Sequence, residues 1–195
     1  MLYYFNSKNP SSTKKISILL KEMVYQTIQE NQDIILLCIG SDRSTGDSLG
    51  PLTGYMSKRK GCSNIHIIGD LMYPVHASNL DAYLKNINII FNNPFIIAID
   101  ASLGIPEHIG YITLAKGPLK PGLGVKKKLP EVGNIHITGI VNFSSKMNYS
   151  TLQTTRLSLI FQISDIISDA IIMFNDDYYK QPSPEKLYLP NLISL

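Results

Sequence analysis

The sequence predicts an α/β fold: a central, mostly parallel, twisted sheet held between helices in three layers. Three observations predict it. Residues 33–39 and 95–99 are short runs that are apolar throughout after Asp33, the signature of strands buried on both faces. Segments with apolar residues at helical spacing alternate with these runs, which implies crossover connections and a covered sheet. The chain also turns polar just after Ile39, Ile68 and Ile99, in SDRSTGD, GDLMYPVH and DAS, and each of these segments carries an aspartate. In such folds, ligands sit beyond the C-terminal ends of the strands.

The elements follow in order. Residues 1–10 read as a loose lead-in. Residues 11–30 place Ile16, Leu19, Leu20, Met23, Val24 and Ile28 on one helical face, with Ser or Thr in front to cap it. Residues 33–39 form the first strand. Residues 49–60 form the first crossover helix, with Pro51 in its opening turn, where the missing N–H costs nothing. Residues 64–68 make a strand, and residues 76–84 a short helix after Pro74. Residues 95–99 are a strand ending at Asp100, and residues 110–115 are another.

Residues 117–134, GPLKPGLGVKKKLPEVGN, show neither helix nor strand spacing. A loop of that length inside a compact domain reads as a lid or binding loop, here bearing Lys120, Lys126, Lys127 and Lys128. Residues 149–174 give the longest helix, with Leu152, Leu159, Ile160, Ile163, Ile167, Ala170, Ile171 and Phe174 as its core face. The whole reads as one domain over residues 1–195, with 1–10 and 176–195 as loosely attached ends.

Composition narrows the function classes. With 44% hydrophobic and 17% charged residues, the chain is balanced as folded domains are. A net charge of +3 is too small to argue for a nucleic-acid partner. No apolar run reaches the roughly 18 to 20 residues needed to span a bilayer, and the first residues lack the basic-then-apolar order of a signal peptide. The expectation is a cytoplasmic protein with no membrane partner. Two cysteines, Cys38 and Cys62, fit a reducing compartment, with Cys38 as a small buried hydrophobe. Oligomeric state leaves no mark on the sequence.

The segment IGSDRSTGDSLGP, residues 39–51, has the strand–loop–helix framing of a phosphate cradle but the wrong chemistry. Gly40 and Gly46 are one residue too far apart for the G-x-x-x-x-G-K-[ST] pattern, and Asp47 stands where lysine belongs. Taken alone, Asp47 reads as a helix N-cap. Taken with Asp100, it offers a second carboxylate at the end of what the topology makes a nearby strand. Like charges at close range force one pKa up, so one carboxyl keeps its proton while the other ionises. Such a pair activates water and protonates a leaving group.

His136, flanked by Ile135 and Ile137 on a strand, is the third catalytic candidate. His66 alternates with isoleucines in the same way and reads as a polar-face residue. His108 reads as a solvated turn residue, and His76 lies near the expected crevice. Asp42 and Arg43 share the loop with Asp47. Asp42 pairs with Arg43, or Arg43 grips a substrate carboxylate. These two and His76 are the substrate-binding candidates.

The segments CIGSDRSTGDSLGPLTG, NPFIIAIDASLG, AKGPLKPGLGVKKKLPEVGNIHITGIVN and LQTTRLSLI resemble the YyaC-type sporulation protein family of spore-forming Firmicutes, over most of residues 33–170. That family is similar, more distantly, to the spore germination protease and to the hydrogenase maturation endopeptidases. Both share a phosphorylase/hydrolase-like fold with a glycine after the first strand and an acid before a later glycine, matched by Gly40, Asp47 and Gly50. Both also carry an aspartate at a later strand end, matched by Asp100. In the maturation enzymes two acids and a histidine contact the substrate's nickel, and His136 stands where that histidine is expected. In the germination protease the two aspartates are the implicated groups, without a metal.

The differences are a chain shorter than the germination protease, a shorter first acid than the maturation enzymes carry, and the added basic loop. The resemblance implies a peptidase of sporulation or germination, acting on protein substrates such as spore proteins through Asp47, Asp100 and His136. Two alternatives stand beside it. One is a metal-dependent or metal-sensing endopeptidase with nickel or zinc on Asp47, Asp100 and His136. The other is a non-catalytic binding module of the spore.

Overall fold

Strand β2 (Ile34–Cys38) is buried at every residue, which places it inside the sheet rather than at its edge. In the computed structural model, which describes residues 1–122, 129–145 and 147–180, six strands run in the order β1-β5-β6-β4-β2-β3. β2 lies between β3 (His66–Ile68) and β4 (Phe95–Gly104) and is parallel to both. β4 is parallel to β6 (Ile135–Phe143). β5 (Tyr111–Lys116) runs antiparallel to β6 and to β1 (Leu2–Asn6). The sheet is therefore mixed and mostly parallel. Lys126, Lys127 and Lys128 of the expected lid, and the tail from residue 181, lie outside the described residues.

Because side chains alternate along a strand, β2 and β4 feed two cores. On one face Leu36, Cys38, Ile97 and Ile99 pack with α1 (Ser12–Tyr25), α2 (Leu49–Arg59) and α5 (Leu157–Lys180). On the other, Ile35, Leu37 and Ala98 pack with Leu80 and Ile87 of α3 (Leu80–Ile90) and with Leu119, Leu129 and Val132. Helices on both faces make the expected three layers. Cys38 is fully buried, and burial pushes its thiol far above the usual range, as befits a small hydrophobe. By length and composition alone α5 could cross a membrane, contrary to the expectation that no segment could. In the fold, its Ile160, Ile163, Ile167, Ile171 and Phe174 are fully buried against the sheet.

Five expectations are corrected. Residues 1–10 are not a loose lead-in. β1 closes the sheet by pairing with β5 from Leu2↔Ala115 to Asn6↔Tyr111, with Tyr3 and Phe5 packed on the core. Residues 176–180 continue α5, where Tyr178 meets the ring of Tyr25 at 5.1 Å.

The helix expected over 149–174 is two helices, α4 (Asn148–Gln153) and α5. Between them the Asn142 amide donates to Thr151 O and Thr155 Oγ1, satisfying groups at the break from outside the helix. The helix expected over 76–84 starts at Leu80, because Asn79 closes residues 76–79 into a turn, accepting from the His76 N–H and donating to Pro74 O. Within 117–134, Leu119 and Val132 exchange two backbone hydrogen bonds at 2.7 and 3.0 Å, so that loop carries a small bridge of its own.

Candidate active site

The ends of β2 and β4 and the turn after β3 build the site. Beyond β2, the Ile39 N–H donates to Ile99 O at 2.7 Å and the Gly40 N–H to Val75 O at 2.8 Å. The chain then loops through residues 41–45 into a 3-10 turn, Gly46–Ser48, that runs straight into α2. Two glycines make this geometry. Gly40 has φ +139°, and a Cβ there would lie 2.0 Å from Asp47 O. A Cβ on Gly50 would lie 2.0 Å from Ile39 O. The start of α2 is thus seated directly on the strand end, a closeness no side chain allows. The glycines that suggest a phosphate cradle serve to bring Asp47 down over the sheet.

The N-cap reading of Asp47 does not hold. Ser48 is the N-cap of α2 and Thr45 that of the preceding turn, and neither position shows a side-chain cap bond. The Asp47 carboxylate instead lines a pocket of about 70 Å³ with Asp100, His76 and Ser44. Ile39, Ala77, Leu129 and Leu152 supply its apolar walls. Taking roughly 30 Å³ of liquid volume per water, that is room for a few waters or a small group.

Asp100 is 6% exposed, and its Oδ1 accepts the Ala101 N–H at 2.8 Å. Burial first, and the charge of Asp47 second, push its carboxyl well above the usual carboxylate range. Burial also raises Asp47, which is partly exposed, but the Ser41 amide and the charge of His76 pull it back. The two environments separate the pair: both carboxyls are raised, Asp100 the further, so Asp47 is the more readily ionised.

The structure brings Asp47, Asp100 and His76 together and leaves His136 elsewhere. His136 pairs with Ala98, one side-chain step below Asp100 on that face. Its Nδ1 lies 2.9 Å from Gly117 O, and it lines a separate groove with Ser102, Thr138, His108 and Tyr4. Among the described residues no three His, Cys, Asp or Glu side chains converge as metal ligands. Asp47, Asp100 and His136 therefore do not fit nickel or zinc as a ligand set. Asp42 and Arg43 are exposed and off the pocket wall; the Arg43 N–H turns back to Ser41 Oγ.

Asp70, the third strand-end aspartate, is structural. Burial would raise its pKa, but Lys58 at 2.5 Å and the Met72 and Tyr73 amides together lower it. Lys120 pairs with Glu131 at 3.2 Å, while Gly122 and Leu129 of the same loop reach the pocket. His66 is exposed beside Asp33, and His108 lies against the rings of Tyr4 and Tyr111.

Sequence reasoning missed Ser44, Tyr149 and Leu152 as pocket residues, and gave His136 the place beside Asp47 that His76 takes. The signal for His76 was present. Val75 bridges Ile39 in parallel, so the residue after Val75 emerges beside Gly40.

The profile of a family described as a protein of unknown function, DUF1256, matches residues 4–170. The uncharacterized protein YyaC of Bacillus subtilis (strain 168) is 39% identical over 178 residues, which cover 91% of this chain and 86% of the relative. Among solved structures, the nickel–iron hydrogenase maturation protease HycI from Thermococcus kodakarensis KOD1 is similar with a TM-score of 0.45 and 13% identity, over 79% of this chain and 99% of the other.

Proposed function

This chain belongs to the DUF1256 family, and from that premise we propose that it hydrolyses amide bonds in polypeptides with Asp47 and Asp100 as a base–acid pair. One observation carries the reading: two carboxyl groups line one small pocket, and burial raises Asp100 well above the usual carboxylate range beside the more readily ionised Asp47. Asp47 takes a proton from water as the water oxygen adds to the amide carbonyl carbon. Asp100 gives its proton to the departing nitrogen as the C–N bond breaks. One water and one amide become one acid and one amine. The pair ends with its proton on Asp47 and resets by exchange with solvent. The positive charge His76 carries when protonated favours the ionised form of Asp47. The setting of this reading is the cytoplasm of a sporulating cell or spore, with spore proteins as substrates.

The test is digestion of a proteome-derived peptide library in H₂¹⁸O, with products identified by mass spectrometry. New carboxyl termini should carry one ¹⁸O. Asp47→Asn and Asp100→Asn proteins should lose at least about 100-fold in rate, the lower end of what a positioned acid or base contributes. Equal cutting by all three proteins would remove the pair from the mechanism.

Two histidine variants separate the candidates. Removing His76 removes a positive charge that lowers the Asp47 pKa, so in His76→Gln the acidic limb of kcat/KM should move to higher pH. An unmoved limb would show that His76 does not act on Asp47. His136→Ala should keep its rate within about 3-fold, since a residue outside the pocket supplies none of the base or acid contribution. A large loss there would restore His136 to the site.

A further inference from the structure

We propose that Ser44 is a substrate-contacting residue, its hydroxyl donating a hydrogen bond to the carbonyl oxygen of the amide being cut. This inference rests on the hydrolytic reading of the Asp47–Asp100 pocket and assigns that pocket an oxyanion donor.

The Ser44 hydroxyl has an unmet hydrogen bond. Ser44 is 8% exposed, its Oγ is buried, and the hydroxyl has no partner among the described residues. A buried hydroxyl without a partner costs about 1–3 kcal/mol, so such groups are rare and call for a reason. The loop itself supplies a contrast. Ser41 Oγ accepts the Arg43 N–H at 3.3 Å, and Ser48 Oγ donates to Thr45 O at 2.7 Å. Those hydroxyls hold the turn together. Ser44 contributes to the turn only through its backbone: its N–H approaches Ser41 O at 3.5 Å and its carbonyl accepts the Asp47 N–H at 3.0 Å. The turn therefore has no use for the hydroxyl, and Ser44 is one of the residues that line the pocket with both aspartates.

Chemistry identifies what would bond there. As water adds to an amide, negative charge develops on the carbonyl oxygen and needs a donor already in place. Asp47, ionised, can only accept. The proton on Asp100 is committed to the leaving nitrogen. His76 Nδ1 accepts the Ser78 N–H at 3.3 Å, and its ring is only partly buried, so water competes for its other nitrogen. Tyr149 stands 56% exposed at the rim, where water competes for its hydroxyl. Among the described residues that line the pocket, that leaves Ser44 as the buried side-chain donor without a partner. A hydroxyl can also rotate to follow the oxygen from trigonal to tetrahedral geometry without moving the backbone.

The experiment is steady-state kinetics of Ser44→Ala on a peptide found in the library digest, beside wild type and Asp100→Asn, with melting curves for all three. The expected result is a fall in kcat of about 100-fold, the scale of losing one oxyanion donor, with KM within about 3-fold and a melting temperature no lower than wild type. A change that loses catalysis without losing stability is what a purely structural hydroxyl cannot produce. Ser44→Thr, which keeps the hydroxyl, should recover part of kcat. If Ser44→Ala keeps its kcat while Asp100→Asn is dead, the inference falls and the carboxylate pair stands. If Ser44→Ala melts several degrees lower, the hydroxyl is structural and the inference falls equally. If wild type and Asp100→Asn are alike in cutting nothing, both readings fall together.

Discussion

Asp100→Asn should abolish hydrolysis and, in the same protein, raise the melting temperature at neutral pH. The loss of rate should be on the order of 1,000-fold, within the range for a positioned general acid. The gain in stability follows from linkage. Burial and the nearby Asp47 raise the Asp100 pKa in the folded state, so the folded protein binds this proton more tightly than the unfolded chain does. The stability that the protonated carboxyl lends is fully present below the unfolded pKa, about 3.9. It is lost as pH rises through the folded value. At pH 7 the wild-type fold therefore bears a penalty that asparagine, which does not titrate, never incurs.

Asparagine also keeps an oxygen for the Ala101 N–H that Oδ1 accepts now. Each pKa unit is worth about 1.4 kcal/mol, and at this chain length each kcal/mol moves Tm by about 2–4 °C. Melts followed by circular dichroism should show Asp100→Asn above wild type at pH 7, with the gap closing as pH falls towards 4. A variant that melts lower at pH 7 would mean the carboxylate is stabilised in place, and the protonated-acid role would be lost with it. The trade is one expected of catalytic groups, which are held in environments that folding alone would not choose.

The parts of this architecture that were legible in the sequence are those written in local patterns. Wholly apolar runs marked β2 and the start of β4 because a strand buried on both faces has no polar residues to place. The rule that ligands sit beyond strand ends then narrowed fifteen acidic residues to the few that follow Ile39, Ile68 and Ile99, Asp47 and Asp100 among them. What stayed hidden depends on partners distant in the chain. β1 exists because β5 offers it an edge. The break between α4 and α5 contains neither proline nor glycine, and is held open by Asn142 on β6.

The choice between His76 and His136 is a matter of sheet register. His136 shares a face with Asp100 but pairs with Ala98, and one step along a strand is enough to put it in another groove. Ser44 was invisible for a further reason. Whether a hydroxyl is satisfied is a property of three-dimensional neighbours, and SDRSTGDS contains three serines that look alike until their bonds are counted.

Gly50→Ala sets two principles against each other, and their magnitudes decide the result. Alanine is the better helix former by about 1 kcal/mol, and Gly50 lies within α2, so propensity alone predicts a more stable protein. The added Cβ would, however, lie 2.0 Å from Ile39 O, 2.7 Å from Ile39 N and 2.8 Å from Ile39 C. All three are backbone atoms of the strand end, which cannot swing aside as a flexible side chain can. Nor can the helix easily retreat, because Ser164 Oγ of α5 donates to Leu49 O and Thr53 and Ser57 are fully buried behind it. Relief requires moving α2 off the sheet, at the cost of packing on its far side. We expect a loss of at least about 4 kcal/mol, in the exceptional range reserved for named structural faults, seen as a collapse of the urea midpoint or of soluble yield.

The same displacement would carry Asp47 away from Asp100, since Asp47 sits three residues before Gly50 on the moving turn. Any folded fraction should therefore cut slowly, and its Asp100 should titrate lower than in wild type, because the charge that helps raise it has moved off. A Gly50→Ala protein with the wild-type midpoint and rate would show that the helix start is not seated on the strand as described. The close approach that brings the two carboxyl groups into one pocket would then have to be abandoned.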